Sequence, residues 1–349
     1  MIEKLADRIV LIVKDYHNYC EFQFTTDHIV KWVNQFDEKD REFILSELFH
    51  LVKQGVYISE ERAKELLIKR MEQLSKIYRY GNPVAFLTNI DFLRMQPADK
   101  SQDVLLKLLD KALQRNYGIG LEQCGTVSKK YAFYIDDILA TGGTVFNDCL
   151  KWLQNKNDDN ETNLEKIIKQ EKVLVISVFC LHTWANVLWR LKLALKNDDV
   201  VKKIKLHCDY EIQNHPKFTR QRLNFFYPVA DQPEEVMEYY QSLDAEAKQG
   251  DAFRRKDAPT HETLFSSPAN RIRLENIFLL KGIELLGKTV NLKPNHRPLG
   301  ATFPSYKTLG TGTLFFTWRN ISNTSPIVLW WKSSTWQPLF PLYKRGLAV

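Results

Sequence analysis

The sequence predicts an α/β protein in which a doubly wound parallel sheet is flanked by an N-terminal helical lobe and a C-terminal α+β region. Three observations carry that expectation. Between residues 81 and 230, apolar runs of strand length alternate with amphipathic runs of helix length. Repeated strand and helix units of this size fold as parallel sheets, because each crossover must return the chain to the same end of the sheet. Before residue 80, apolar residues recur every three to four positions without a strand-like run, and after residue 231 the sequence turns to a charged loop, one long helix and an aromatic-rich tail. The chain therefore divides into 1–80, 81–230 and 231–349. At 349 residues, with 44% hydrophobic and 12% aromatic composition, it is long enough to bury a full core.

Each element follows in order. Leu5, Ile9, Ile12 and Val13 mark a first helix, and Phe43, Leu45, Leu48 and Leu51 mark another over Asp40–Val52. Thr26 and Asp27 cap one helix start, and Ser59 before Glu60 and Glu61 opens a helix running to Lys76. Gly81-Asn82-Pro83 ends this all-helical lobe. Val84–Ile90 then reads as a strand, Ser101–Arg115 as a helix, Tyr131–Ile135 as a strand and Val145–Leu153 as a helix. Polar Asn155–Glu165 reads as an exposed insertion. Val173–Cys180 is a buried strand, His182–Lys196 a helix and Lys203–Tyr210 a further strand. In the last region Glu234–Tyr240 is a short helix, Asp244–His261 a charged loop and Ser267–Leu286 a long helix, with strand-like runs at Thr313–Trp318 and Ile327–Trp331.

Composition narrows the functional classes. The longest apolar run, Val173–Leu181, is too short to cross a bilayer, and the Met-Ile-Glu-Lys start lacks the features of a secretory leader. The expectation is a soluble cytoplasmic protein without membrane contact. Cys20, Cys124, Cys149, Cys180 and Cys208 are odd in number, widely spaced and never Cys-x-x-Cys, which suits reduced core thiols rather than disulfides or zinc. No histidine lies at metal-ligand spacing; His182, at a strand end, is the one to watch. The net charge of +7 suits an anionic ligand.

The most informative stretch is Tyr131 to Thr144, an apolar strand ending in Asp136 and Asp137, then a small-residue loop that opens a helix. A loop of Ala140, Thr141, Gly142, Gly143 and Thr144 has little side-chain bulk, so several N–H groups can converge on one anion beside the helix's positive end. Asp136 and Asp137, where the strand is expected to stop, are placed to accept hydrogen bonds from a vicinal diol. The order describes a ribose-phosphate pocket. A bland reading, with acids capping the strand and glycines making a turn, leaves the ordered succession of strand, acid pair, glycine loop and helix unexplained. A dinucleotide fingerprint would place the acid after the glycines, and no Gly-x-x-x-x-Gly-Lys-Ser/Thr loop is present.

Tyr134-Ile135-Asp136-Asp137-Ile138-Leu139-Ala140-Thr141-Gly142-Gly143-Thr144 resembles the signature with which type I phosphoribosyltransferases bind phosphoribosyl pyrophosphate (PRPP). The resemblance implies that Asp136 and Asp137 are the ribose acids, that Ala140 to Thr144 hold the 5′-phosphate, and that Mg²⁺ accompanies the pyrophosphate, with no metal held directly by the protein. It also implies a pyrophosphate loop after an earlier strand, here ending at Asp99-Lys100-Ser101-Gln102-Asp103. Lys100 and Ser101, with Arg94 nearby, are candidates to grip pyrophosphate; equally, Ser101 is an ordinary N-cap and Lys100 a solvated side chain. The usual glycine of that loop is missing.

Trp32-Val33-Asn34-Gln35-Phe36-Asp37, Thr313-Leu314-Phe315-Phe316-Thr317-Trp318-Arg319-Asn320, Ser325-Pro326 and Trp336-Gln337-Pro338-Leu339-Phe340-Pro341 extend the likeness over nearly the whole chain. They resemble phosphoribosyltransferase-like effectors of bacterial conflict systems, found in anti-phage operons that include retrons, where a reverse transcriptase and its RNA–DNA product restrain a toxic effector. That likeness implies a C-terminal hood over the sugar site, with Arg319 and Asn320 either recognising a second substrate or closing a core. Basic residues from 218 to 273, among them Arg220, Arg222, Arg254, Arg255, Lys256, Arg271 and Arg273, form either a solvated surface or a contact for a nucleoprotein partner. The leading expectation is a Mg²⁺-dependent glycosyl-transfer or glycosidic-cleavage effector in phage defence, acting on PRPP or a related ribose-phosphate nucleotide. The alternatives are an inactive PRPP or nucleotide sensor and a nucleoprotein-binding subunit.

Overall fold

A computed structural model of the chain describes residues 1–18, 22–215, 218–243, 252–289, 292–302 and 309–342. In chain order the elements are α1 (Ile2–Val13), α2 (Thr26–Val33), α3 (Glu38–Leu51), β1 (Tyr57–Ile58), α4 (Glu60–Ile77), α5 (Pro83–Leu87), β2 (Ile90–Phe92), α6 (Ser101–Tyr117), β3 (Tyr131–Leu139), α7 (Gly143–Gln154), α8 (Asn163–Ile168), β4 (Val173–His182), α9 (Thr183–Ala194), α10 (Asp198–Lys203), β5 (Lys205–Ile212), α11 (Glu234–Ser242), α12 (Pro268–Gly287), β6 (Phe316–Thr317) and α13 (Ile327–Trp330). Two compact units emerge, one built from Glu61–Glu211 and the other from Met1–Glu60 together with the described residues between 212 and 342.

The first unit holds a four-stranded sheet in the order β2-β3-β4-β5, with β2, β3 and β4 parallel. Helices cover both faces. Ala132 and Tyr134 of β3 and Leu174, Ile176 and Val178 of β4 pack with Val145, Cys149 and Trp152 of α7, Ile167 of α8 and Ala185, Trp189 and Leu193 of α9. The pleat sends the alternate residues Phe133 and Ile135 to the opposite face. There α6, whose Leu105, Leu106, Leu109 and Leu113 are buried, lies against β3. The crossovers before and after β3 thus run on different faces, and the segments after β2 and β3 open at the same carboxyl edge. In open α/β sheets that is where ligands bind.

In the second unit β1 and β6 pair in parallel, Tyr57 with Phe316 and Ile58 with Thr317. Trp32 and Phe36 of α2 and its flank meet Phe278 of α12, and Phe36 meets Trp336. Gln35 Nε2 donates to the Gln337 carbonyl at 2.9 Å, and the Gln337 N–H returns a bond to Gln35 Oε1 at 2.7 Å. Two sequence motifs three hundred residues apart are therefore one contact. The tail rings close a core: Trp32 and Trp336 both donate to the Val328 carbonyl, at 2.9 and 3.1 Å, and Trp330 donates to the Ser325 carbonyl at 2.7 Å.

Several expectations need correction. Val84 to Leu87 is not strand: Asn82 accepts from the Ala85 N–H, Pro83 sits in the first turn, and the apolar run coils into α5. β3 does not stop at the acids but continues through them to Leu139. The N-terminal lobe is not all helical, because β1 lies in it, and Ile327–Trp331 is a buried helical turn after Pro326 rather than a strand. Thr25, not Thr26, caps α2, and the insertion after α7 includes α8, closed by a Thr162–Glu165 capping box. Cys124, Cys149, Cys180 and Cys208 are free thiols; Cys20 and residues 244–251 of the charged loop lie outside the described residues. No helix among the described residues is long and apolar enough to cross a membrane.

Candidate functional site

The site is built at the carboxyl half of β3. Asp136 and Asp137 are both buried there, 5% and 8% exposed. Each carboxylate first serves its own backbone: Asp136 Oδ1 accepts the Asp137 N–H at 2.9 Å, and Asp137 Oδ1 accepts the Ile138 N–H at 2.8 Å. Asp136 shares the face of Tyr134, whose phenol donates to Asp148 Oδ2 of α7 at 2.8 Å. Burial, and then the neighbouring Asp137 charge, push the Asp136 carboxyl from 3.8 up to about 7. Burial, and then the Asp136 charge, keep the Tyr134 phenol protonated.

The predicted phosphate loop follows directly. Gly142 caps α7 with φ +76°, a left-handed conformation that suits glycine, and brings no side chain to the helix start. A Cβ there would lie 3.3 Å from Trp189 Cβ, whereas a Cβ on Gly143 would meet nothing within 4 Å. Thr144 is exposed, and Ala140, Thr141 and Gly143 are half-buried. The first-turn N–H groups of α7 therefore open beside a small-residue loop, an arrangement able to receive an anion.

The segment after β2 comes to the same place. Lys100, half-buried and extended (φ −77°, ψ 169°), is the N-cap of α6, so Ser101 is the first helical residue and not the cap. Ser101 Oγ lies within hydrogen-bond reach of both Gln96 Oε1, at 3.3 Å, and Asp136, and its single proton serves one of them at a time. The structure thus joins Ser101 to the acid pair. Arg94 is exposed and acts on Asp103 and Lys107 of α6. Asp99 has φ +64°. It adopts the left-handed conformation for which a glycine is the usual residue, its N–H held by Asp103 Oδ2 at 3.1 Å.

Gln96 and Gln102 escaped the sequence reading. Gln96 Nε2 donates to Asp136 Oδ2 at 3.0 Å and to the Tyr134 hydroxyl at 2.9 Å. Buried Gln102 accepts the Met95 and Gln96 N–H groups at 2.5 and 3.1 Å. Carboxamides carry no motif; Tyr134 lies inside the recognised stretch, whereas Asp148, four residues past it, was not singled out.

Arg319 and Asn320 belong to the second unit and are buried; Asn320 Oδ1 accepts from the Ile321 N–H at 3.1 Å, and both residues interact with His17. Burial lowers His17 to about 4. Within 218–273, Arg254 pairs with Glu275 at 2.9 Å, and Arg271 pairs with Glu262 and Glu275, all deeply buried. Arg273 pairs with Asp40 at 2.7 Å and Arg220 with Asp257 at 3.1 Å. Arg254 and Arg271 are thus committed inside the fold, whereas Arg220, Arg222, Arg255, Lys256 and Arg273 are exposed, and Phe225 and Phe226 are core residues. His182 is fully buried, and burial lowers it to about 3.

A family model described as PRTase-CE matches residues 29–342, a span that takes in β3, the glycine loop, the segment after β2 and most of the second unit. No protein of curated function and no solved structure matches the sequence.

Proposed function

We propose, because the chain belongs to the PRTase-CE family and so carries a phosphoribosyltransferase-like domain, that it binds PRPP or a related ribose phosphate and catalyses glycosyl transfer or glycosidic cleavage. The observation that carries this reading is the β3–α7 unit, in which buried Asp136 and Asp137 lead into a glycine loop whose left-handed Gly142 opens a helix start. In the proposal the first-turn N–H groups of α7 and the hydroxyls of Thr141 and Thr144 hold the 5′-phosphate, and Asp136 and Asp137 face the ribose hydroxyls. Departure of pyrophosphate leaves positive charge on the ribose, which a nearby carboxylate stabilises more than it stabilises the neutral sugar.

Among the described residues no group of three or more His, Cys, Asp and Glu side chains could hold a metal. In the proposal Mg²⁺ would come with the diphosphate, whose hard oxygen donors suit it, rather than in a cage of protein ligands. When bound, the ion would neutralise leaving-group charge.

The biological role we propose is that of a toxic effector in bacterial anti-phage defence. The test is the Asp136→Asn, Asp137→Asn double variant, assayed for pyrophosphate release from PRPP and for toxicity on expression in bacteria. Loss of both in a folded protein is the expected result; undiminished toxicity refutes the role, and undiminished release refutes the site. A second reading, a ribose-phosphate sensor without turnover, is favoured by one observation: Asp136 is already engaged by Gln96, Ser101 and a backbone N–H. PRPP binding by calorimetry without pyrophosphate release would establish it.

A further inference from the structure

We propose that residues 93–100 form a strap, latched by Gln96, that covers Asp136 in the free protein, so that ligand binding at the acid and opening of the strap are one coupled event. The coupling rests on the ribose-phosphate reading above; the strap itself does not.

Gln96 Nε2 takes Asp136 Oδ2 at 3.0 Å, the position from which a sugar hydroxyl would have to donate. An ionised carboxylate offers about four acceptor sites. On Asp136 the Asp137 N–H, Gln96 and Ser101 already occupy three, and the residue is 5% exposed. The second N–H of the same carboxamide donates to the Tyr134 hydroxyl at 2.9 Å. A sugar hydroxyl that donates to Asp136 Oδ2 from the side Gln96 occupies has to displace it.

The strap is also built to be held and released as a piece. Gln102, 1% exposed, clamps the Met95 and Gln96 N–H groups with one oxygen while its Nε2 reaches the Ile135 carbonyl at 3.5 Å, one residue before the acid. At the far end the chain turns through Asp99 at φ +64°. A non-glycine residue in that region is held there by its surroundings rather than by preference. Gln102 is thus a positioning residue, bonding the strap and the β3 backbone beside the acid.

The experiment compares wild type with Gln96→Ala and Gln102→Ala, the second of which touches neither the acids nor the glycine loop. Amide hydrogen exchange at residues 95 and 96 of the free proteins decides the strap alone: exchange about tenfold faster in both variants is expected, and unchanged exchange overturns it. Calorimetry with PRPP and Mg²⁺ decides the coupling. Binding about tenfold tighter in both variants is expected, the equivalent of one charge-assisted hydrogen bond that no longer has to be broken. Equal affinity overturns the coupling, as does weaker binding, which would make Gln96 a ligand contact. If none of the three proteins binds PRPP, the ribose-phosphate reading fails and the coupling with it, while the exchange result still decides the strap.

Discussion

Gly142 and Gly143 adjoin in the loop, yet the structure assigns them opposite sensitivities, and that contrast is the sharpest test of the phosphate site. Gly142→Ala forces a Cβ into a backbone at φ +76° and sets it 3.3 Å from the Cβ of Trp189, a ring buried in the core. The left-handed conformation costs alanine about 1–2 kcal/mol, and crowding against an immobile neighbour adds about 1 kcal/mol. A loss of about 2–3 kcal/mol corresponds to a fall of about 4–12 °C in the melting temperature of a unit of this size. Gly143→Ala meets nothing within 4 Å and keeps its helical conformation. It should leave the melting temperature unchanged or raise it, since alanine suits a helix better by up to about 1 kcal/mol. Its methyl nevertheless enters the space above the loop, so PRPP affinity should fall about tenfold, roughly 1.4 kcal/mol. Calorimetric melting and ligand titration of the two variants read both effects. Equal melting temperatures would refute the backbone argument, and wild-type PRPP affinity in Gly143→Ala would refute an anion seated over the loop.

The remaining predictions concern the acid and the second unit. Because burial and the Asp137 charge push Asp136 up to about 7, the folded chain holds a proton that the unfolded chain has lost from about pH 4 upward. Stability at this site is therefore greatest below that window and is lost as pH rises through it, and melting of Asp136→Asn should lack the decline. Glu275 is buried between Arg254 and Arg271, and Glu275→Ala should cost about 3–5 kcal/mol in urea unfolding by stranding Arg254, while Arg271 keeps Glu262. Trp32→Phe and Trp336→Phe each remove one donor from the Val328 carbonyl, so the double variant should lose on the order of 1 kcal/mol more than the sum, as the acceptor is orphaned only when both go.

The β3–α7 unit was legible because its signals are local: an apolar run, an acid pair, a glycine loop and a helix start within fourteen residues. Boundaries were less so. Val84–Leu87 and Ile327–Trp331 are short apolar runs, and periodicity cannot tell a buried strand from a buried helical turn at that length. The deciding features were Asn82 as a cap and a proline at each helix start. The strand's passage through both acids was hidden because carboxylates lower strand propensity, a penalty that the bonds from Asp136 and Asp137 to the following N–H groups offset. Gln96 and Gln102 gave no signal at all. Their roles depend on where the segment after β2 lies in space, and a carboxamide reads as neutral surface until its partners are known. The absent loop glycine misled in the same way, since Asp99 supplies the left-handed turn itself.

What makes the acid notable is the kind of partner it has. The groups that bond Asp136 are neutral: a carboxamide, a hydroxyl and a backbone N–H. Burial and the Asp137 charge raise the carboxyl to about 7, and the bonds from these neutral donors, which lower it, do not offset that rise. A carboxylate left uncompensated in a buried strand gains most from whatever positive charge appears beside it. In glycosyl transfer that charge appears on the sugar only as the bond to the leaving group stretches, so the stabilisation is greater in the transition state than in the bound substrate. An arginine in place of Gln96 would make the free protein more comfortable and the acid less useful. In the proposal the neutral strap covers Asp136 at rest without supplying a fixed cation, so the acid's charge, once the proton is lost, is met by the charge that develops on the sugar.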